Sequence, residues 1–218
     1  MKKIFMLLTV LIIFYVASVS ANATIITFSD KAQFLASTDS TSATGPLPNI
    51  NFTYGWSQTI GNATFSVPST SELYIGGGTL DWTLLHPGND IAISGPEDLN
   101  VDLASPVYAF GFDFVEPKDT SCYIGCSDST FSVALKNGAT TVDTFMFNAP
   151  DDVLAFVGVW TDTSFNRVEI RDISATIDNE FFGEFYTGIT HASVPEPATL
   201  LLLGSGMAGI VVVRKRLG

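Results

Sequence analysis

The chain has 218 residues, 46% of them hydrophobic and only 15% charged, with 10 Lys and Arg against 22 Asp and Glu for a net charge of −12. So acidic a balance repels phosphate backbones and excludes a nucleic-acid binder. Two cysteines and two histidines are too few for a zinc cage built from those residues alone.

At the N-terminus, Met1-Lys2-Lys3 precedes an apolar run at 4–16 and small residues that end in Ala21-Asn22-Ala23. A basic start, a short apolar stretch and a small-x-small site make a secretory signal peptide, with cleavage expected after Ala23. The run is shorter than the ~20 residues that span a bilayer, which argues against an uncleaved anchor. With the signal removed and a basic C-terminal tail set aside, five basic residues remain: Lys31, Lys118, Lys136, Arg167 and Arg171.

The middle of the chain is rich in Thr, Ser, Phe, Val, Ile and Gly. One brief helix is predicted over 30–36, with Ser29 as its N-cap and Phe34-Leu35 facing the core. Ten strand-like runs follow, at 50–54, 63–67, 90–94, 99–103, 107–115, 130–135, 142–147, 154–160, 167–171 and 182–186, separated by Gly, Pro, Asn and Asp signals. In the run at 107–115, Tyr108, Phe110, Phe112 and Phe114 alternate with Ala109, Gly111 and Asp113, the period of a strand with one aromatic face. Asn137-Gly138 predicts a hairpin. Asp162-Thr163-Ser164 predicts a turn that would let 154–160 pair with 165–170. Many short strands with little helix imply an antiparallel β-sandwich of jelly-roll type over 24–190. An immunoglobulin-like sandwich is the alternative, but its Cys–Trp–Cys spacing is absent.

Several residues in this domain could carry chemistry. Cys122 and Cys126 enclose Tyr-Ile-Gly, and export into an oxidising compartment makes a disulfide their expected state. Trp56 and Trp82 stand near glycine-rich, loop-like segments, where an exposed ring could stack on a pyranose or pack at the rim. Trp160 reads as core. His86 and His191 have no nucleophile motif of Gly-x-Ser-x-Gly type in the domain, so no acyl-transfer centre is expected. Carboxylates are plentiful at Glu97-Asp98, Asp102, Glu116, Asp119, Asp151-Asp152 and Asp178-Asn179-Glu180. In pairs they could hydrolyse a glycoside, in clusters bind calcium, and otherwise form a solvated surface. No cofactor is expected, with one structural calcium at Asp178 or its neighbours as the alternative.

The C-terminus reads Pro195-Glu196-Pro197, an uncharged segment at 198–213 and then Arg214-Lys215-Arg216. As a helix at 1.5 Å per residue the segment would be about 24 Å long, slightly under a ~30 Å hydrocarbon core. The basic triplet would hold its end on the cytoplasmic side. Together these residues resemble the PEP-CTERM sorting signal of Gram-negative bacteria, a likeness that covers about the last 25 residues. The resemblance implies a transient inner-membrane anchor recognised by an exosortase, a membrane-embedded cysteine peptidase of the transpeptidase type. It also implies export through the secretion machinery of a bacterium that makes extracellular polysaccharide and biofilm. The rhythm of residues 110–114, 156–159 and 177–179 is similar to the sandwich domains often found upstream of such signals, and it suggests fold more than ligand.

Three readings follow from this. The first is a non-enzymatic surface or matrix protein whose sandwich is structural or contacts a carbohydrate, which for so acidic a chain would be a polysaccharide that is neutral or bridged by a metal. The second is a secreted glycan-active enzyme using paired carboxylates. The third is a protein that remains anchored in the membrane.

Overall fold

The computed structural model describes residues 24–50, 56–76, 85–117, 128–174 and 180–190. The elements run β1 (Ile25–Phe28), α1 (Lys31–Thr38), β2 (Thr41–Ser42), β3 (Ser57–Ile60), β4 (Ala63–Ser66), β5 (Glu72–Gly76), β6 (Asp90–Ser94), β7 (Leu99–Val115), β8 (Phe131–Asn137), β9 (Thr140–Phe147), β10 (Ala155–Asp172) and β11 (Phe181–Gly188). The signal-peptide residues Ala21 and Ala23, the Cys122–Cys126 loop, Trp82, Asp178 and the whole tail (Pro195, Glu196, Pro197, Arg214, Lys215, Arg216) lie outside the described residues. Among the described residues no helix is long and apolar enough to cross a membrane.

The eleven strands of the described residues join in one antiparallel sheet, and two long strands fold it into two layers. The second half of β7 pairs with β11 on one side and with the first half of β10 on the other. The first half of β7 pairs instead with β4 and with the second half of β10. One layer therefore reads β5-β6-β11-β7-β10-β1 and the other β3-β4-β7-β10-β8-β9. The bend falls at the exposed Ala104-Ser105-Pro106 of β7 and at the register shifts around Phe165 in β10. Proline without an N–H and bulges that sharpen the local twist suit such a corner.

Phenylalanines fill the space between the layers. Phe112 and Phe114 of the first layer meet Phe147 of the second at 5.8 and 5.3 Å between ring centroids. Phe114 also meets Phe131 at 5.4 Å, and Phe65 of β4 meets Phe185 of β11 at 4.7 Å. These offset and edge contacts are the arrangements aromatic rings favour. The antiparallel β-sandwich anticipated from strand spacing is thus present, built from a single folded sheet.

Four local readings change. Residues 154–160 and 165–170 are not a hairpin, because both lie in the continuous strand β10 and Asp162-Thr163-Ser164 is part of its bend. Tyr108 leaves the phenylalanine face: Val107 and Phe110 both enter the main core, so the alternation slips between them, and Tyr108 packs with the outer cluster. The β8–β9 turn falls one residue later than Asn137-Gly138. Asn137 pairs with Thr140, and Gly138 takes φ +58° as the first of two loop residues. Asp30, not Ser29, caps α1 by accepting the Gln33 N–H at 2.7 Å.

A second cluster sits on the outer face of the first layer, where α1 lays Phe34 beside Ala109, Phe156, Trp160 and Tyr186. Gly111 and Gly158, paired across β7 and β10, make room for it. A Cβ on Gly158 would stand 2.9 Å from the Phe34 ring. On the opposite face of the molecule, Glu169 draws cations together. Lys136 reaches it at 2.7 Å, Arg167 at 2.9 Å and Arg171 at 3.6 Å, and Arg167 also binds Asp102 at 2.9 Å.

Two stability measurements test this architecture. Phe112→Ala should cost about 3–5 kcal/mol in urea unfolding, the range for truncating a fully buried phenylalanine. Burial pushes the Glu169 carboxyl up, but hydrogen bonds from Lys136 and Arg167 and the charge of Arg171 outweigh it and hold the group below its ordinary 4.5. A lowered carboxyl contributes stability that is present above 4.5 and is lost as pH falls through the folded value. Burial shifts Asp98 upward, with Arg171 opposing, so replacing Glu169 isolates its own share. Urea midpoints from pH 7 to pH 3 should fall more steeply for the wild type than for Glu169→Gln.

Candidate functional site

Period-two alternation turns Asp113 away from the phenylalanine core, toward the outer face of the first layer. On the neighbouring β11 a register shift between Phe182 and Phe185 inserts Gly183-Glu184, so both phenylalanines stay in the core while Glu184 and Tyr186 join Asp113 outside. A bulge is a common way to re-aim a side chain beside a site. From above, the Asp30 cap starts α1 so that Lys31 is its first helical residue.

These elements converge on one polar array. Lys31 Nζ donates to Asp113 Oδ2 at 2.8 Å and stands 4.3 Å from the centroid of the Tyr186 ring. The Tyr186 hydroxyl donates to Glu184 Oε2 at 2.8 Å and lies 3.4 Å from Asp113 Oδ2. Ser42 of β2 donates to the other Glu184 oxygen. Burial pushes the Tyr186 phenol far above its ordinary value of 10, and the Glu184 bond and the charges of both carboxylates add to the shift. The hydroxyl therefore stays a donor at any physiological pH. His86, also buried, stands behind the array with Nε2 3.1 Å from the Phe181 carbonyl.

Two open cavities meet at this array. One of about 330 Å³ is walled by Leu47, His86, Pro87, Asn89 and Glu184. The other, about 590 Å³, runs between β1 and β9 past Phe28, Met146, Phe147, Asn148, Val153 and Leu154. Lys31 and Asp113 line both. Such volumes lie in the range of ligand clefts, and the second combines an apolar wall with a few polar groups.

The residues expected from sequence fall elsewhere. Trp56 is 66% exposed, just before β3, and lines neither cavity. Trp160 is buried under α1. Glu97, Glu116 and Glu180, read as candidates for a catalytic pair, a calcium cluster or a solvated surface, are buried, as is Asp90. Glu116, Asp128 and Asp151 bring carboxylate oxygens within 4.8 Å of one another at the ends of β7, β8 and β9. They are the hard oxygen donors calcium prefers and amount to half or fewer of the six to eight it takes. Lys31, Asp113, Glu184 and Tyr186 carried no motif. The one available signal was a carboxylate at Asp113 among three phenylalanines of a core strand.

Residues 193–216 match the family model described as the PEP-CTERM protein-sorting motif. The chain carries a PEP-CTERM sorting signal. That signal indicates an exported, membrane-transiting protein and implies processing by an exosortase. No curated protein matches the chain. Among solved structures it is similar to a mutant of the family 29 carbohydrate-binding module CBM29-2, at 12% identity over 81% of this chain and 99% of that one, with a TM-score of 0.32. It is also similar to a xylan-binding domain from CBM 22, at 11% identity over 67% of this chain and 100% of that one, with a TM-score of 0.37. Both likenesses are distant.

The close fit behind the polar array is open to test. A Cβ on Gly183 would lie 2.7 Å from His86 Nδ1 and 2.9 Å from Asp113 Cβ. Gly183→Ala should therefore displace His86 or Asp113 and cost about 1–3 kcal/mol, read as a lower urea midpoint. Gly88→Ala, where nothing lies within 4 Å of the added carbon, serves as the control.

Proposed function

We propose that this is an exported bacterial surface or exopolysaccharide-matrix protein, sorted through its PEP-CTERM signal, whose β-sandwich is a non-catalytic module that contacts carbohydrate. In this reading the tail holds the chain briefly in the inner membrane of a Gram-negative cell. An exosortase-type peptidase then cuts near Pro195-Glu196-Pro197, and the sandwich leaves with its new end. The observation that carries the reading is the position of the motif. Among the described residues the last strand ends at Gly188, and the match begins at residue 193.

The polar array supports a binding module over a glycosidase. Two catalytic carboxyls flank a glycosidic bond some 5–10 Å apart, with sugar or water between them. Here the Tyr186 hydroxyl reaches toward both Asp113 and Glu184, and Lys31 caps Asp113, whose side chain is 7% exposed. Lys31 and the Tyr186 hydroxyl engage both carboxylates, so the array leaves no free acid–base pair. Their remaining lone pairs and N–H bonds suit sugar hydroxyls.

Intact-mass measurement of the protein recovered from producing cells tests the sorting step. The expected product lacks residues 1–23 and everything beyond the Pro-Glu-Pro region. Retention of residues 214–218 in the wild type would mean a permanent anchor instead. Glu196→Ala should keep the tail and leave the protein in the membrane fraction.

A further inference from the structure

We infer that the two cavities meeting at Lys31 and Asp113 form one binding track for a neutral polysaccharide, with the Lys31–Asp113–Tyr186–Glu184 array as its polar centre. This rests on the proposal of a carbohydrate-contacting module and names the surface and the ligand class. The placement of Lys31 points to the site first. Four basic residues are described, and Lys136, Arg167 and Arg171 all surround Glu169 on the opposite face. Lys31 alone among them serves the outer face of the first layer. It does so from the first turn of α1, where the helix dipole disfavours a cation. A local rule broken in this way marks a position chosen for something other than the helix.

The chemistry of the array selects the ligand. An ammonium offers three donors, and only one contact to Asp113 is formed, so Lys31 can still donate to hydroxyl oxygens. Asp30, Asp113 and Glu184 accept from hydroxyl groups. With three carboxylates to one cation, an anionic glycan would be repelled, whereas neutral hydroxyls meet both a donor and acceptors. The array is already held by internal hydrogen bonds, so little ordering is needed on binding. The wall of the larger cavity contributes Phe147 together with exposed Met146, Val153 and Leu154, apolar surface for the C–H faces of sugar rings. Because Lys31 and Asp113 border both cavities, this ion pair lies mid-track, which fits a chain of sugars better than a single residue.

The test is native affinity electrophoresis of the full-length protein in mild detergent. Gels contain hydroxyethylcellulose, galactomannan, alginate or no polysaccharide. The expected result is retardation by at least one neutral polymer and none by anionic alginate. Lys31→Gln and Glu184→Gln should each weaken the association constant at least ten-fold with melting temperatures close to the wild type. If one variant fails to fold, the other carries the comparison. No retardation by either neutral polymer, retardation by alginate alone, or variants retarded like the wild type would overturn the inference. The outcome separates from that of sorting. A trimmed tail with an unretarded protein rejects the track and leaves sorting intact, whereas an uncut tail with a retarded protein does the reverse.

Discussion

The antiparallel ladder between β7 and β10 is the contact on which the rest of the molecule depends. Its register runs from Ala155 opposite Phe114 to Ile170 opposite Leu99, so the same two strands lie at the centre of both layers. A sandwich made from two separate sheets relies on side-chain packing and loops to hold the sheets in register. Here one strand pair, shifted in register around Phe165, carries backbone pairing on both sides of the fold line. The phenylalanines then have a fixed geometry to fill, with Phe110, Phe112 and Phe114 carried by one strand and met by Phe131, Phe147, Phe182 and Phe185 from its surroundings.

The outer face of the first layer follows from the inner one. A strand that points three aromatics inward must present Ala109, Gly111 and Asp113 on its other side. Small residues there let α1 approach until Phe34 rests over Gly111 and Gly158. The same approach carries Lys31 to Asp113. The helix therefore has two roles: its buried ring closes a second core, and its first residue completes a polar array. The bulge in β11 adds Glu184 without giving up Phe182 or Phe185 to solvent.

Scarce cations make their positions informative. A chain with 22 acidic and 10 basic residues has little positive charge to place, and part of that lies at its two ends. Three of the four cations in the described residues are spent on Glu169, where β8 and β10 would otherwise expose a half-buried carboxylate. The fourth is Lys31. Its partners Asp113 and Tyr186 are themselves buried, and Lys31 supplies the positive charge of the array.

The sequence by itself determined the strand-rich class, the Phe110–Phe114 face and the sorting signal at 193–216, because each is written in a contiguous stretch whose period or order carries the meaning. Even Asp113 was visible as a residue that alternates away from the phenylalanines. Breaks were misread for a local reason: Pro106 and Asp162-Thr163-Ser164 look like chain turns, and only pairing across 50 or more residues makes them corners in unbroken strands. The array was decided by tertiary structure alone. Lys31 and Asp113 are 82 positions apart, Asp113 and Tyr186 are 73 apart, and Ser42 and Glu184 are 142 apart. No spacing rule connects such residues. They meet because a helix, a core strand and a bulged strand stack on one face, and that stacking is set by side-chain volume across the whole domain.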